Sequence, residues 1–333
     1  MSNSWKKFLV FQAVLLIIAA VFLSVFFTYR TSSDIEYRKA FAKYYRVFTP
    51  ELPDKIDFAG EDVPLNIFYV KESLDKEIIL NTYWQSRTLL VLKRAQRWFP
   101  VIEPILKENG VPDDFKYLAV IESELENKIS NMGATGFWQF LKETGQRNGL
   151  EINDCVDERY NVELSTQAAC KYFLNAYKIY GNWTLAAASF NAGENGISSR
   201  IESQKAENYY NMNLPTETAR YIFRILALKQ IFLHPAKYGY NLRKKDLYPF
   251  IQTTTVAVDS TINDLADFAI QNKINYRILK EFNPWLRKTN LINCHKKTYQ
   301  IKLPQEGQIF YSNYLFGADG FKMIDQDSLS SND

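Results

Sequence analysis

Apolar residues recur with helical spacing through most of the chain between residues 71 and 240. Pro112 stands where a first helical turn begins, and the helix that it opens leads to Glu122. No strand-like alternation interrupts residues 85–235. The pattern therefore predicts a mainly α protein, with one almost wholly helical domain over residues 71–240.

Small and turn-forming residues predict where the later helices begin and end. Ser165 or Thr166 is expected to cap a helix that Gly181 ends. Gly193 closes the next helix, and Pro215 begins a final long one. These signals predict three further helices in the second half of the domain.

The pattern changes after Tyr240, where β-branched residues and short helical segments alternate. The segments predict a strand, two helices and a strand, in this order: Thr253–Val258, Ile262–Asn272, Tyr276–Phe282 and Tyr299–Leu303. We therefore expect a small α+β (βααβ) module over residues 250–305. The polar tail over residues 322–333 is expected to be disordered.

The N-terminal region contains an apolar run, Phe8–Phe27, that is long enough to cross a bilayer as a helix. Lys6 and Lys7 precede it, which favours a cytoplasmic N-terminus. A cleaved signal peptide is the alternative, but its apolar region is usually shorter and ends at small residues. We predict a transmembrane helix within residues 1–30, followed by a linker or helical region over residues 31–70.

Composition narrows the classes of function. The net charge is +3, and the basic and acidic residues are interspersed, which argues against a nucleic-acid partner. Neither of the 2 histidines has a partner at ligand spacing, and the 3 cysteines are widely separated, so we expect no metal; nothing indicates a cofactor. Aromatic residues make up 15% of the chain, which suits a carbohydrate groove and a ring-rich helical core equally.

The stretch from Glu122 to Gly145, ESELENKISNMGATGFWQFLKETG, carries the candidate chemistry. A single carboxylate, Glu122, ends an apolar helical run, and apolar surroundings raise the pKa of a carboxyl group toward that of a general acid. A turn of small residues follows, and glycines allow a polymer to approach the backbone closely. Trp138 and Gln139 then offer a stacking plane and amide hydrogen bonds.

This stretch resembles the ES…S..GA.G.WQF…TG signature of lysozyme-like lytic transglycosylases, in particular the membrane-bound murein transglycosylase D type. Further matching blocks follow in order: Val156–Arg159, Ser165–Ala169, Ala188–Gly193 and Glu217–Tyr221. The resemblance implies a lysozyme-like catalytic domain that acts on peptidoglycan glycan strands. Together with the predicted membrane helix and the lysines before it, this predicts an inner-membrane protein whose catalytic domain lies in the periplasm.

The family's reaction cleaves the β-1,4 bond between N-acetylmuramic acid (MurNAc) and N-acetylglucosamine (GlcNAc) without water. One glutamate, here Glu122, acts as acid and then as base, and the product is a 1,6-anhydro sugar. A two-carboxylate hydrolase would need a second acid across the site, and we expect none of the matching blocks to supply one. A muramidase that hydrolyses the same bond, and an inactive peptidoglycan-binding scaffold, remain as alternatives.

The resemblance also assigns contacts with the substrate, position by position, to Ser123, Ser130, Gln139, Phe190, Asn191, Glu217 and Tyr221. Phe190 departs from the family, which usually has tyrosine there. The missing hydroxyl is dispensable, or is replaced by that of Tyr221 or another tyrosine, or its loss lowers activity.

The module at residues 250–305 resembles a LysM peptidoglycan-binding module. Leu279 and Asn283 match its L…N segment, and Ile301 lies in the matching final strand. The usual glycine-aspartate turn is absent, so glycan binding and a purely structural role both remain open.

The cysteines allow two interpretations. In an oxidising periplasm Cys155 and Cys170 are expected to pair, because the loop between them is short. The alternative is that all the cysteines, including Cys294, are free thiols that pack as small apolar side chains.

Overall fold

The structure is a computed structural model, and it describes residues 5, 7, 11–23, 35, 38–39, 47–293, 296–311 and 314. The chain divides into two units, Met1–Thr49 and Pro50–Asp333. Of the predicted membrane helix, the described residues 11–23 are helical (α1), and the rest lies outside the described residues. Among the residues described, none of the helices is both long and apolar enough to cross a membrane. The predicted tail at 322–333 and Cys294 also lie outside.

The helices of the second unit that precede the C-terminal module pack around one hydrophobic core. Their bounds are α2 Phe68–Tyr83, α3 Gln85–Glu108, α4 Lys116–Ser123, α5 Lys142–Arg147, α6 Val162–Tyr180, α7 Trp183–Ala192, α8 Glu194–Gln204 and α9 Thr216–Leu233. No named strand lies between residues 85 and 235. The prediction of a mainly helical domain is confirmed.

Helix α4 lies inside this core because it is apolar on nearly every side. All of its residues from Tyr117 to Ile121 are buried, and the helix packs against α3 and α9. A left-handed residue, Glu124, ends the helix immediately after Ser123. Glu122 is thus fixed at the end of the most enclosed helix of the domain.

The region predicted as a linker contributes to the core. A short hairpin pairs β1 (Asp57–Phe58) with β2 (Glu61–Asp62), and the Phe58 side chain is fully buried against Phe115. The carboxylate of Glu61 accepts hydrogen bonds from the backbone N–H groups of Trp183 (2.6 Å) and Thr184 (2.9 Å). The linker assignment is therefore corrected for this part of the region, because these residues cap the start of α7.

The helix ends agree with the sequence signals at the glycines and at Pro215, but not at the start of α6. Gly181 ends α6 in the left-handed conformation, and Pro215 precedes α9. The cap of α6 is Asn161, whose side chain accepts from the backbone N–H of Leu164 at 3.0 Å. Thr166 instead lies within the helix and accepts from the indole N–H of Trp138 at 2.9 Å.

The C-terminal module has the predicted order of elements: β3 Thr253–Val258, α10 Leu265–Gln271, α11 Tyr276–Phe282 and β4 Tyr299–Pro304. The two strands are antiparallel, with Thr253 opposite Pro304 and Val258 opposite Tyr299. The module has its own hydrophobic cluster, which also includes Val156 and Tyr160 of the helical domain.

The loop around Val156 joins the two cores directly. Val156 forms a β-bridge with Leu286, and the backbone N–H of Asp157 donates to the carbonyl of Trp285 at 2.9 Å. The N–H of Arg287 donates to the carbonyl of Cys155 at 2.8 Å. The module is therefore bound to the helical domain through the backbone of this loop.

The predicted bridge between Cys155 and Cys170 is wrong, because both are free thiols. Cys170 is buried in the core of the helical domain, where its thiol donates to the carbonyl of Ile105 at 3.9 Å. Cys155 packs against the cluster of the C-terminal module. The two side chains belong to different cores, and a short loop between them does not bring them together.

Candidate active site

Glu122 meets a tyrosine hydroxyl at the end of α4. Its carboxyl group is part-buried, and its Oε1 accepts a hydrogen bond of 2.6 Å from the hydroxyl of Tyr221 on α9. Tyr221 is 1% exposed, so its ring is held rigidly by the core. This contact joins two residues that the sequence motifs predicted for the site and that lie 99 positions apart in the chain.

Burial raises the pKa of Glu122 from 4.5 to about 7. The Tyr221 hydrogen bond and the positive charge of Arg224 oppose this rise, whereas the negative charge of Glu217 adds to it. A carboxyl group with a pKa near neutrality can both donate and accept a proton at neutral pH. Glu217, in one of the matching blocks, thus lies within electrostatic reach of Glu122, and the expectation that no second acid works across the site stays a prediction.

The segment after Glu122 has an unusual backbone that ion pairs hold. Glu124 and Leu125 both have positive φ, at 59° and 58°. The carboxylate of Glu124 pairs with Arg87 (2.9 Å) and Lys128 (3.0 Å). Consecutive left-handed residues are costly without such restraints. The ion pairs thus fix the direction in which the chain leaves the site.

The small-residue turn is tied together by its own backbone and by Arg159. Ser130 is exposed, and its hydroxyl accepts from the backbone N–H of Ala134 at 3.0 Å. The guanidinium of Arg159 donates to the carbonyls of Gly133 and Phe140, both at 3.1 Å. It also forms a buried 2.7 Å ion pair with Asp157. The turn is therefore fixed by a hydrogen bond within it and by the contacts that Arg159 makes at Gly133 and Phe140.

Gln139 serves the same turn rather than presenting its whole amide to a ligand. Its Nε2 donates to the carbonyls of Lys128 (3.0 Å) and Gly136 (2.8 Å). Its backbone has a positive φ of 47°. Only the side-chain carbonyl is left to accept a hydrogen bond from a sugar.

Three further predicted residues differ in their exposure and in their contacts. Asn191 accepts from the hydroxyl of Thr218 at 2.9 Å, which links α7 to α9. Glu217 is exposed in the first turn of α9. Ser123 is 1% exposed and donates to the carbonyl of Ala119, so its assignment to substrate contact is corrected: its hydroxyl serves the helix.

Phe190 is part of an aromatic cluster. Its ring centroid lies 5.0 Å from that of Phe173, 5.1 Å from that of Tyr172 and 5.5 Å from that of Phe140. The site nevertheless has a tyrosine hydroxyl at Glu122, which comes from Tyr221. What the missing hydroxyl at residue 190 means for activity stays a prediction.

Sequence reasoning missed Arg224 and the role of Arg159. Arg224 donates to the carbonyl of Ile121 at 3.1 Å, directly beside Glu122. Its position three residues after Tyr221, on the same face of α9, was a usable signal. The role of Arg159 depends on contacts with residues 19 and 26 positions away, which spacing does not reveal.

Comparison with known proteins agrees with this geometry. Residues 99–213 match the family model of the transglycosylase SLT domain, and residues 254–307 match that of the soluble lytic transglycosylase C-terminal LysM-like domain. Membrane-bound lytic murein transglycosylase D of Escherichia coli K12 is 27% identical over 243 residues. The protein of the same name from E. coli O6:H1 strain CFT073 matches to the same degree.

The match covers 70% of this chain but 52% of the relative, so the chain spans about half the length of the curated relatives that it matches. The resemblance seen in the sequence is confirmed for both parts of the chain. The chain carries a transglycosylase SLT domain followed by a LysM-like domain of the soluble lytic transglycosylase type.

Proposed function

We propose that this protein is a peptidoglycan lytic transglycosylase that cleaves the MurNAc-β-1,4-GlcNAc bond with Glu122 as its single acid and base. The observation that carries the proposal is the Glu122 carboxyl group, whose pKa of about 7 and 2.6 Å contact with Tyr221 suit proton transfer in both directions. The SLT domain around it supports the same activity.

In the proposed reaction, protonated Glu122 gives its proton to the glycosidic oxygen as the bond to the MurNAc anomeric carbon breaks. As that bond breaks, the N-acetyl carbonyl oxygen of the same sugar forms a bond to the anomeric carbon. The Glu122 carboxylate then takes the proton from the MurNAc 6-hydroxyl, whose oxygen displaces the N-acetyl oxygen. A 1,6-anhydro ring forms, no water is consumed, and Glu122 ends in its starting, protonated state.

Tyr221 and Arg224 would keep the pKa of Glu122 in a range that allows both proton transfers, the donation and the later uptake. Both stabilise the carboxylate and so limit the rise of the Glu122 pKa that burial causes. Without them the acid would give up its proton less readily. Ser130, Gln139 and Asn191 are proposed to contact the sugars around the scissile bond.

We also propose that the protein acts at the cell envelope. The relatives are named as membrane-bound, and the apolar Phe8–Phe27 segment is proposed to be the inner-membrane anchor that leaves the SLT domain in the periplasm. The LysM-like domain is proposed to add contacts with peptidoglycan.

The decisive experiment is product analysis. Purified sacculi are digested with the protein, and the released muropeptides are identified by mass spectrometry. Products that end in 1,6-anhydro-MurNAc are expected. Products with a reducing MurNAc, heavier by one water, would contradict the transglycosylase reaction, and sacculus binding without any release would indicate a scaffold.

Hydrolysis of the same bond is the second candidate, because Glu217 acts electrostatically on Glu122. A hydrolase with two carboxylates would use such a residue to activate water. Glu217→Gln would then abolish product formation. In the transglycosylase reaction this substitution lowers the pKa of Glu122 and leaves the anhydro product as the main one.

A further inference from the structure

A second cleft, of about 640 Å³, lies between the SLT domain and the LysM-like domain. Arg97 and Trp98 of α3 line one side, and Lys280 of α11 and Trp285 line the other. Glu122 is not among the residues that line it. Its size is typical of sites that enclose a small molecule or a few residues of a peptide.

The cleft shares a wall with the candidate active site. Leu125 and Lys128, three and six residues after Glu122, line it. The carbonyl of Lys128 accepts from the backbone N–H of Gly136 (2.9 Å) and from the side chain of Gln139 (3.0 Å). A group that occupies the cleft therefore contacts the segment that supports the catalytic turn.

Among the residues that the structure describes, two of the cations that line the cleft have no carboxylate partner. Arg94 pairs with Glu126, and Lys302 pairs with Glu163. Lys280 donates to the carbonyls of Leu286 and Lys288.

Arg97 donates to the carbonyl of Pro249 at 3.0 Å and lies 5.6 Å above the ring of Tyr248. In the part of the chain that the structure describes, no carboxylate lies within ion-pair distance of Arg97 or Lys280. Burial, together with the charge of Arg287, lowers the pKa of Lys280, so its ammonium group would gain from an anionic partner.

The cleft also has aromatic surfaces. Trp98 packs edge-on against Phe137 with ring centroids 4.9 Å apart. Trp285 is 3% exposed, and its buried indole N–H has no acceptor within the described residues. The side chains of Trp98 and Trp285 therefore give the cleft apolar surface beside its cations.

We propose that this cleft binds a short acidic peptide, which on the proposed substrate is the stem peptide attached to MurNAc. The inference rests on the proposed function and names the part of the substrate that the cleft receives. The peptide's carboxylates pair with Lys280 and Arg97, since charge-assisted hydrogen bonds are the strongest polar contacts that these groups can make. On a glycan without stem peptides the anions are the lactyl carboxylates of MurNAc, one per disaccharide and attached directly to the sugar, whereas the stem peptide carries further carboxylates beyond it.

The test compares two forms of one substrate with the full-length chain: glycan strands that carry their stem peptides, and the same strands after an amidase has removed them. The wild type is expected to have a KM about tenfold lower for the peptide-bearing strands, as befits one charge-assisted contact. In Lys280→Gln and Arg97→Gln this ratio should fall toward one. Lys280→Arg should restore it, and the exposed Lys178→Gln should keep the wild-type ratio.

An unchanged KM ratio in both glutamine variants, with unchanged thermal unfolding, would overturn the proposal. If Lys280→Gln fails to fold, Arg97→Gln decides, because it lies on a different element. A wild type that cleaves neither substrate would count against the proposed function alone. Calorimetry with the free stem tetrapeptide then tests the cleft: binding that Arg97→Gln weakens supports the proposal, and no binding to the wild type overturns it.

Discussion

At the scale of single residues, the Glu122 carboxyl group is expected to perform both proton transfers. Glu122→Gln keeps the shape of the side chain but transfers no proton, so cleavage should fall by at least about 10²-fold. Release of muropeptides from sacculi measures the effect, and the exposed Glu143→Gln is the matched control. Retention of more than a few per cent of activity would remove Glu122 from this role.

The same side chain is expected to cost stability at high pH. Because its pKa is raised from 4.5 to about 7 in the folded state, the fold loses stability as the pH rises through this window. Glu122→Gln is neutral throughout, so at pH 8 it should be about 1–3 kcal/mol more stable than the wild type. At pH 4 the two should unfold alike. Urea denaturation at both pH values measures the free energy of unfolding. A Glu122→Gln variant that is less stable than the wild type by the same amount at both pH values would contradict the burial argument.

Three neighbours are expected to set the alkaline limb of the pH–activity profile. Tyr221→Phe and Arg224→Met each remove a group that stabilises the carboxylate, so the pKa of Glu122 rises and the limb moves to higher pH. Glu217→Gln removes a negative charge, so the limb moves to lower pH. Profiles of kcat/KM from pH 5 to 9 test the signs, and a common direction for all three variants would refute this account.

At the scale of elements, the catalytic turn depends on one close backbone approach. A Cβ at Gly136 would lie 1.9 Å from the carbonyl oxygen of Arg159, and φ is +84° there. Gly136→Ala should therefore destabilise the fold by about 3 kcal/mol or more. Gly133→Ala is the control, because φ is +78° but nothing lies within 4 Å; its cost should be about 1–2 kcal/mol. If urea denaturation shows the same loss of stability in both variants, the backbone around Gly136 moves enough to relieve its contact with Arg159.

The elements that the sequence predicted well are those with local signals. Gly181 and Pro215 mark helix ends because their own backbone preferences act within one turn. The cap of α6 was misplaced because Asn161 lies four residues before Ser165, and both residue types cap helices. The hairpin at residues 57–62 was missed because two-residue strands leave no periodic pattern.

The parts of the site that were missed depend on distant contacts. Glu122 and Tyr221 were identified through their motifs, but their hydrogen bond could not be, since it joins α4 to α9. The positions of Arg159 and Glu61 follow from the packing of several elements, which spacing along the chain does not encode. The cysteine pairing failed for the same reason, because loop length says nothing about which core each thiol enters.

At the scale of the whole molecule, the LysM-like domain is part of the structure that supports the SLT domain. The Lys297 ammonium pairs with Glu158 at 2.5 Å, and the Glu158 side chain is 4% exposed. The guanidinium of Arg287 lies 4.0 Å above the ring of Tyr160. These contacts converge on the loop that also carries Asp157 and Arg159, which hold the catalytic turn. A disturbance of the interface is therefore expected to reach the active site.

Removal of the chain after residue 249 tests this dependence. It exposes Val156, which is fully buried in the intact chain, and it leaves the buried Glu158 without the Lys297 ammonium. The SLT domain should lose about 2 kcal/mol or more, which corresponds to a fall in Tm of about 5 °C or more. Cleavage of short soluble glycan strands should fall as well, although such strands need no second binding domain.

Lys297→Gln should have a smaller effect in the same direction, because its side chain is 42% exposed and solvent screens the pair. The exposed Lys178→Gln is the control for charge removal. Differential scanning calorimetry and the soluble-strand assay measure both quantities on the same samples. If the truncated protein keeps the wild-type Tm and activity, the LysM-like domain is an independent attachment, and the loop at Val156 supports the catalytic turn without it.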